Sequence, residues 1–152
     1  MKKMGTLMGI IFIFCIFFAT ESVAQQGVKW KGGGGWGPGT PYNRLYDPKT
    51  VETIGGEVVS IDKILPLKGM SSGVHLAVKT EKETILVHLG PQWYLQNQDV
   101  KIEPKDKIEV KGSRINFQGK PAMIAMEIKK GDEVLRLRDE NGFPVWSGWR
   151  RR

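Results

Sequence analysis

The sequence predicts an all-β protein, a small Greek-key OB-fold barrel of five or six strands. From residue 51 onward, runs rich in valine and isoleucine alternate with turn signals, as strands do. The runs occur in the order of three strands, one short helical segment and two or three further strands, which is the order of an OB-fold. A β-sandwich would need about seven strands, more than this sequence supplies.

The strands are predicted from the apolar runs and the residues that interrupt them. The first strand should bend at Gly55 and Gly56, because glycine inside a strand usually marks a bulge or a sharp coil. Gln118-Gly119-Lys120 is the predicted hairpin turn between the fourth and fifth strands. The predicted strands are residues 51–65, 73–80, 84–90, 107–117, 121–129 and 133–138.

Between the third and fourth strands, the stretch PQWYLQNQDVKIEPKD breaks the strand pattern. Pro91 can open a short helical turn, and Pro104 lies where the segment ends. We expect Trp93, Tyr94 and Leu95 to plug one end of the barrel.

Residues 1–24 are typical of a secretory signal peptide. Two lysines precede an apolar run from Leu7 to Ala19, which is shorter than the ~20 residues that a membrane-spanning helix needs. Ser22 and Ala24 suit cleavage before Gln25. We therefore expect a periplasmic or secreted protein that meets the membrane only through the signal peptide before cleavage.

Cysteine content and charge bound the chemistry of the exported chain. The only cysteine, Cys15, lies in the predicted signal peptide, so the mature protein should have no disulfide and no cysteine metal ligand. The net charge is +7, and removing Lys2, Lys3 and Glu21 leaves +6. The exported chain is therefore a small basic domain. Its positive charge accounts for solubility and nonspecific attraction to anions, but it does not identify a ligand.

Two segments flank the predicted barrel of residues 51–138. Residues 25–50 are predicted to form a flexible arm rich in glycine and tryptophan, because four consecutive glycines make ordering costly in entropy. The arm is either a plain tether or a segment whose aromatic side chains dock on a partner or stack on bases.

Residues 139–152 form a tail rich in tryptophan and arginine, side chains that are over-represented at binding hot spots. Two alternatives stay open: Phe143, Val145 and Trp146 fold back to cap the barrel, or the tail docks a partner such as an envelope protein. The candidate docking residues are Trp146, Trp149, Arg150, Arg151 and Arg152.

The only two histidines, His75 and His88, lie on the second and third predicted strands. Opposed residues of an antiparallel pair point to one face, so the apolar alternation sets the register and pairs His75 with His88. We expect both on the face away from the core, as half-exposed side chains or as weak candidate metal ligands, since two imidazoles at this spacing can share a metal ion. No third ligand is specified by the sequence, so the metal remains unknown.

The sequence carries no motif of a known catalytic site. Nucleophile elbows, zinc-protease motifs, phosphate-binding loops, dinucleotide fingerprints and haem-attachment sequences are all missing, which argues against an enzyme and gives no cofactor. Small OB-fold barrels commonly bind single-stranded nucleic acid through basic grooves with stacking aromatic side chains. The candidate ligand-binding residues are His75, Lys79, His88, Trp93, Tyr94, Lys111, Arg114, Arg136 and Arg138.

In its strand order, its DKIEVKGS stretch and its exported context, the chain resembles small periplasmic OB-fold proteins of Gram-negative bacteria, which are often labelled DNA-binding by homology. The resemblance covers residues 51–138 and implies a barrel that binds in the periplasm, without catalytic residues. The glycine-rich arm and the tail depart from it.

Three functions remain open after the sequence alone. The first is a non-enzymatic module that binds a polyanion, such as single-stranded nucleic acid, or a partner protein. The second is an accessory subunit of an extracytoplasmic redox or metal-handling complex, with His75 and His88 as ligands. The third is a structural component of the cell envelope or of an extracellular assembly, with the arm packed between subunits.

Overall fold

A computed structural model describes residues 34–148 of the chain. No helix within this range is long and apolar enough to cross a membrane, and the predicted signal peptide lies outside it. The strands of the described range are β1 (Val51–Ile64), β2 (Gly73–Lys79), β3 (Thr84–Pro91), β4 (Lys107–Phe117), β5 (Lys120–Lys130) and β6 (Glu133–Arg136), with helix α1 (Gln92–Leu95) between β3 and β4.

The six strands form one sheet in the order β3-β2-β1-β4-β5-β6. In addition, β3 pairs with β5 in parallel, so β1, β2, β3, β5 and β4 close into a barrel-like ring, and β6 extends the sheet from β5. All other neighbouring strands are antiparallel. The predicted all-β class, small ring-shaped sheet and short helix after the third strand are confirmed.

The long strand β1 belongs to both halves of the ring. It pairs with β4 as far as Glu57 and with β2 from Glu57 onward, and a bulge lies between Val58 and Ser60. The predicted bend at Gly55 and Gly56 therefore coincides with the change of partner, where the strand must coil to leave one neighbour for the next.

Turn chemistry explains two of the strand ends. Gln118 and Gly119 both have positive φ, 54° and 82°, as the two central residues of a tight hairpin turn require. The last strand ends at Arg136 rather than at the predicted Arg138, because the backbone N–H groups of Leu137 and Arg138 both donate to the carbonyl of Met126.

The prediction of a flexible arm was wrong for residues 34–50. Trp36, Tyr42 and Tyr46 are buried and belong to the hydrophobic core of the domain. Trp36 Nε1 also donates a hydrogen bond to the carbonyl oxygen of Ser71 at 3.0 Å. Each aromatic side chain buries about 150–250 Å², which offsets the entropy that the neighbouring glycines lose. The rest of the predicted arm, residues 25–33, lies outside the described range.

The described part of the tail packs against residues 34–50. Trp146 is buried, and its Nε1 donates a hydrogen bond to the carbonyl oxygen of Trp36 at 2.8 Å. Of the two alternatives, folding back therefore holds for Trp146, and burial leaves this docking candidate inaccessible to a partner. Phe143, expected to fold back, is 50% exposed. Residues 149–152, with the docking candidates Trp149 and Arg150 to Arg152, lie outside the described range.

Candidate functional site

A row of polar side chains crosses three neighbouring strands. Asp62 on β1 pairs with His75 on β2, and His75 pairs with His88 on β3. The predicted register of β2 and β3 is confirmed from His75 to Lys79. It shifts by one residue at Val74, which therefore lies opposite Gly90 instead of Leu89.

The predicted exposure of the histidines was wrong for His88, which is fully buried. The hydroxyl of Tyr42 lies 2.9 Å from His88 Nδ1, and the ring of Phe117 packs edge-on with a centroid distance of 4.9 Å. Residues 34–50 thus cover a face of the sheet that the strand pattern alone would leave in water. His75 is half-buried beside it, with the ring centroids of the two histidines 6.0 Å apart.

Each histidine has an oxygen partner for one ring nitrogen only. His75 Nε2 lies 3.9 Å from Asp62 Oδ2, and His88 Nδ1 contacts the Tyr42 hydroxyl. The other nitrogens, His75 Nδ1 and His88 Nε2, are buried and have no hydrogen-bond partner among the described residues. His88 thus has the arrangement that is characteristic of metal-binding histidines, in which an oxygen bonded to one nitrogen orients the ring.

Burial also sets the charge of His88. Desolvation, together with electrostatic repulsion from His75 and Arg138, lowers the pKa of His88 to about 4. His88 is therefore neutral near pH 7, which is the protonation state that binds metal ions. Burial raises the pKa of Tyr42, so its hydroxyl stays protonated and can either donate to His88 Nδ1 or accept from it.

The pair supplies two ligands and no more. Within residues 34–148, no group of three or more histidine, cysteine, aspartate or glutamate side chains could hold a metal ion. A bound ion would need further ligands from water or from a partner protein. Such an open coordination sphere differs from a structural zinc site, in which the protein usually provides four ligands.

The predicted basic and aromatic ligand-binding residues do not form one groove. Lys79 and Lys111 are exposed, and so is Arg136, which lies 3.8 Å from Glu127. Trp93 is half-buried and Tyr94 is buried, so neither is the fully open stacking platform that was expected.

Nearby carboxylates offset much of the basic charge. Arg114 forms ion pairs with Glu52 and with Glu83, the latter at 2.8 Å. An open depression is lined by three lysines and three glutamates, which cancel each other in charge: Lys79, Lys107, Lys129, Glu57, Glu81 and Glu109.

Arg138, predicted as a basic ligand-binding residue, is fully buried. Its Nη1 donates hydrogen bonds to the carbonyl oxygens of Leu89, at 3.1 Å, and of Ala125. The guanidinium carbon lies 5.0 Å from the ring centroid of Trp146. Burial lowers the pKa of Arg138 to about 10, so the side chain is still a cation near neutral pH. A polymer outside the barrel cannot reach it.

Residues 50–135 match the model of the MamS/MamX magnetosome protein family. This chain belongs to that family. The matched segment contains Asp62, His75 and His88 and all strands of the ring, whereas Tyr42 lies before it and Arg138 after it. No curated protein matches the chain. The match shows a small bacterial family, as expected, but supports neither the OB-fold label nor the DNA-binding label.

Sequence reasoning missed two partners of the histidine pair. Asp62 could have been found, because working out the register of β1 against β2 places it opposite His75. No local pattern indicates Tyr42, which is 46 residues from His88 in the chain.

Proposed function

We propose that this protein is a non-enzymatic accessory component of an extracytoplasmic metal-handling assembly, and that His75 and His88 bind a first-row transition-metal ion in it. The observation that carries the proposal is the pair of buried, unpartnered ring nitrogens on two opposed strands. The Tyr42 hydroxyl orients the ring of His88 from its other nitrogen, and Asp62 Oδ2 lies 3.9 Å from the other nitrogen of His75. Membership in a magnetosome protein family supports this class over nucleic-acid binding.

The chemistry of the pair suits capture and presentation of a metal ion. Neutral imidazole is a good ligand for iron, copper, nickel and zinc ions. Two protein ligands leave several coordination positions open, so a partner can add its own ligands and take the ion over. Burial keeps His88 unprotonated near pH 7, so a metal ion does not have to displace a proton from this ring.

The other two candidate functions have less support. Two of the predicted basic residues are not available to a nucleic acid: Arg138 is buried, and Arg114 is already paired with carboxylates. A structural role in which the arm packs between subunits conflicts with Trp36 and Tyr42, which pack into the barrel of their own chain.

Equilibrium dialysis followed by elemental analysis tests the proposal. The purified protein is dialysed at pH 7 against Fe²⁺ under anaerobic conditions, and separately against Zn²⁺ and Cu²⁺. We expect one ion per chain for at least one metal, and loss of that binding in His75→Ala and His88→Ala. Lys79→Ala is the matched control, because Lys79 lies exposed on the same strand as His75 and should leave binding unchanged.

A further variant distinguishes metal binding at the histidine pair from nonspecific binding elsewhere on the protein. Tyr42→Phe removes only the oxygen that orients His88, and loss of such a partner typically weakens metal binding by about 10–100-fold. Equal binding by the wild type and both histidine variants would overturn the proposal, as would binding of none of the three metals.

A further inference from the structure

The side chain of Arg138 is a buried cation whose counter-charge is missing from the described residues. Its exposed fraction is 0%, and none of the ion pairs within residues 34–148 includes it. Taking a guanidinium out of water is costly unless an opposite charge or a full set of hydrogen bonds replaces the water. The described contacts provide only part of that replacement.

The contacts of Arg138 are all on one end of the guanidinium. Nη1 donates to the carbonyl oxygens of Leu89 and Ala125, which anchor the group between β3 and β5. Nε and Nη2 are buried and have no partner among the described residues. These two nitrogens form the side edge of the guanidinium, which offers two parallel N–H donors to a carboxylate or another oxyanion.

A further buried donor lies within electrostatic range of Arg138. The hydroxyl of Tyr46 is also buried without a described partner. Arg138 is close enough for its positive charge to oppose the rise in the Tyr46 pKa that burial causes. The site is rigid: Trp146 packs over the guanidinium, and the ring of Tyr46 lies against Gly142, where a Cβ atom would come within 3 Å of the ring.

We propose that the Nε and Nη2 edge of Arg138, with the Tyr46 hydroxyl as a further donor, binds one small oxyanion in the buried region that residues 34–50 and Trp146 cover. The ligand class is a phosphate, a sulfate or a small carboxylate, because each presents two oxygens to the guanidinium edge. A polymeric anion is excluded by burial. The anion stabilises the folded state by neutralising Arg138, and the proposal does not depend on the histidine pair.

Thermal unfolding with exchange of the anion tests this site. The melting temperature of the purified protein is measured at fixed pH and ionic strength while chloride is replaced by phosphate, sulfate or formate. A ligand that binds only the folded state raises stability by RT ln(1 + [L]/Kd), so we expect a saturable rise for at least one oxyanion. The three arms distinguish a tetrahedral anion from a carboxylate, and calorimetry should give one site per chain.

Three variants assign the effect. Arg138→Met should abolish the oxyanion dependence. Tyr46→Phe loses one hydrogen bond to the anion and should raise Kd by about 10-fold, the equivalent of a typical hydrogen bond to a charged group. Arg136→Met is the matched control, because it removes an equal charge from an exposed position two residues away and should keep the wild-type affinity.

If Arg138→Met does not fold, the comparison of Tyr46→Phe with Arg136→Met still decides the question. The proposal is overturned if no oxyanion raises the melting temperature above its value in chloride. It is also overturned if Arg136→Met weakens the oxyanion-dependent rise in melting temperature as much as Tyr46→Phe does, because that rise would then depend on surface charge alone.

Discussion

Replacing Trp36 by alanine tests whether the glycine-rich segment before β1 is part of the folded domain. Trp36 is 1% exposed, its ring centroid lies 4.9 Å from that of Tyr42 and 6.4 Å from that of Trp146, and its indole N–H donates to Ser71. If residues 34–50 were a loose tether, the substitution would change the free energy of unfolding very little.

The structure gives the expected magnitude. Removing a buried tryptophan side chain typically costs about 3–5 kcal/mol, from lost burial and from the cavity that remains. The indole hydrogen bond, at about 1 kcal/mol, and the two ring contacts place Trp36→Ala toward the upper part of that range. A domain of this size has a total stability of roughly 5–15 kcal/mol, so the variant should lose a large fraction of it.

Urea unfolding followed by far-ultraviolet circular dichroism measures the change without relying on tryptophan fluorescence. Phe143→Ala is the control, because Phe143 is 50% exposed and its loss should cost less than about 1.5 kcal/mol. The reasoning is refuted if the two variants differ by less than about 1 kcal/mol at an unchanged denaturant slope.

Two further predictions concern single positions. In the metal-free protein, the free energy of unfolding should fall by up to about 3 kcal/mol as the pH drops from 6.5 to about 4, because His88 is protonated in the unfolded chain but stays neutral in the folded protein over this range. The midpoint of urea unfolding should therefore fall with pH, and it should fall less in His88→Gln. Gly73→Ala should lower the free energy of unfolding by about 1–3 kcal/mol, because the new Cβ would overlap the ring of Trp36. Gly55→Ala is the control and should lower it clearly less in the same measurement, because its Cβ would meet only a backbone oxygen at 3.9 Å.

The sequence predicted the strands and the opposed histidines because both depend on local periodicity. Alternating apolar side chains specify which face of a strand is inside, and a slip of one residue would reverse every face. The pairing of His75 with His88 follows from that alone. The shift at Val74 could not be predicted, since a bulge changes the register without changing the alternation on either side.

The environments of the key side chains could not be predicted, because they come from contacts between distant parts of the chain. His88 is buried by Tyr42 and Phe117, which no strand pattern places next to it. The burial of Arg138 is unexpected for its residue type, because arginine is rarely fully buried unless it is paired. Aromatic anchors likewise order residues 34–50 despite their glycine content.

The most direct test of the proposed function is X-ray absorption spectroscopy of the protein loaded with the metal that it binds best in dialysis. Our account predicts two imidazole nitrogens in the first coordination shell, at about 2.0–2.1 Å if the ion is zinc, with the remaining positions filled by oxygen from water. The imidazole contribution should fall to one in His75→Ala. A first shell without imidazole, or one that is unchanged by that substitution, would contradict a metal site at His75 and His88.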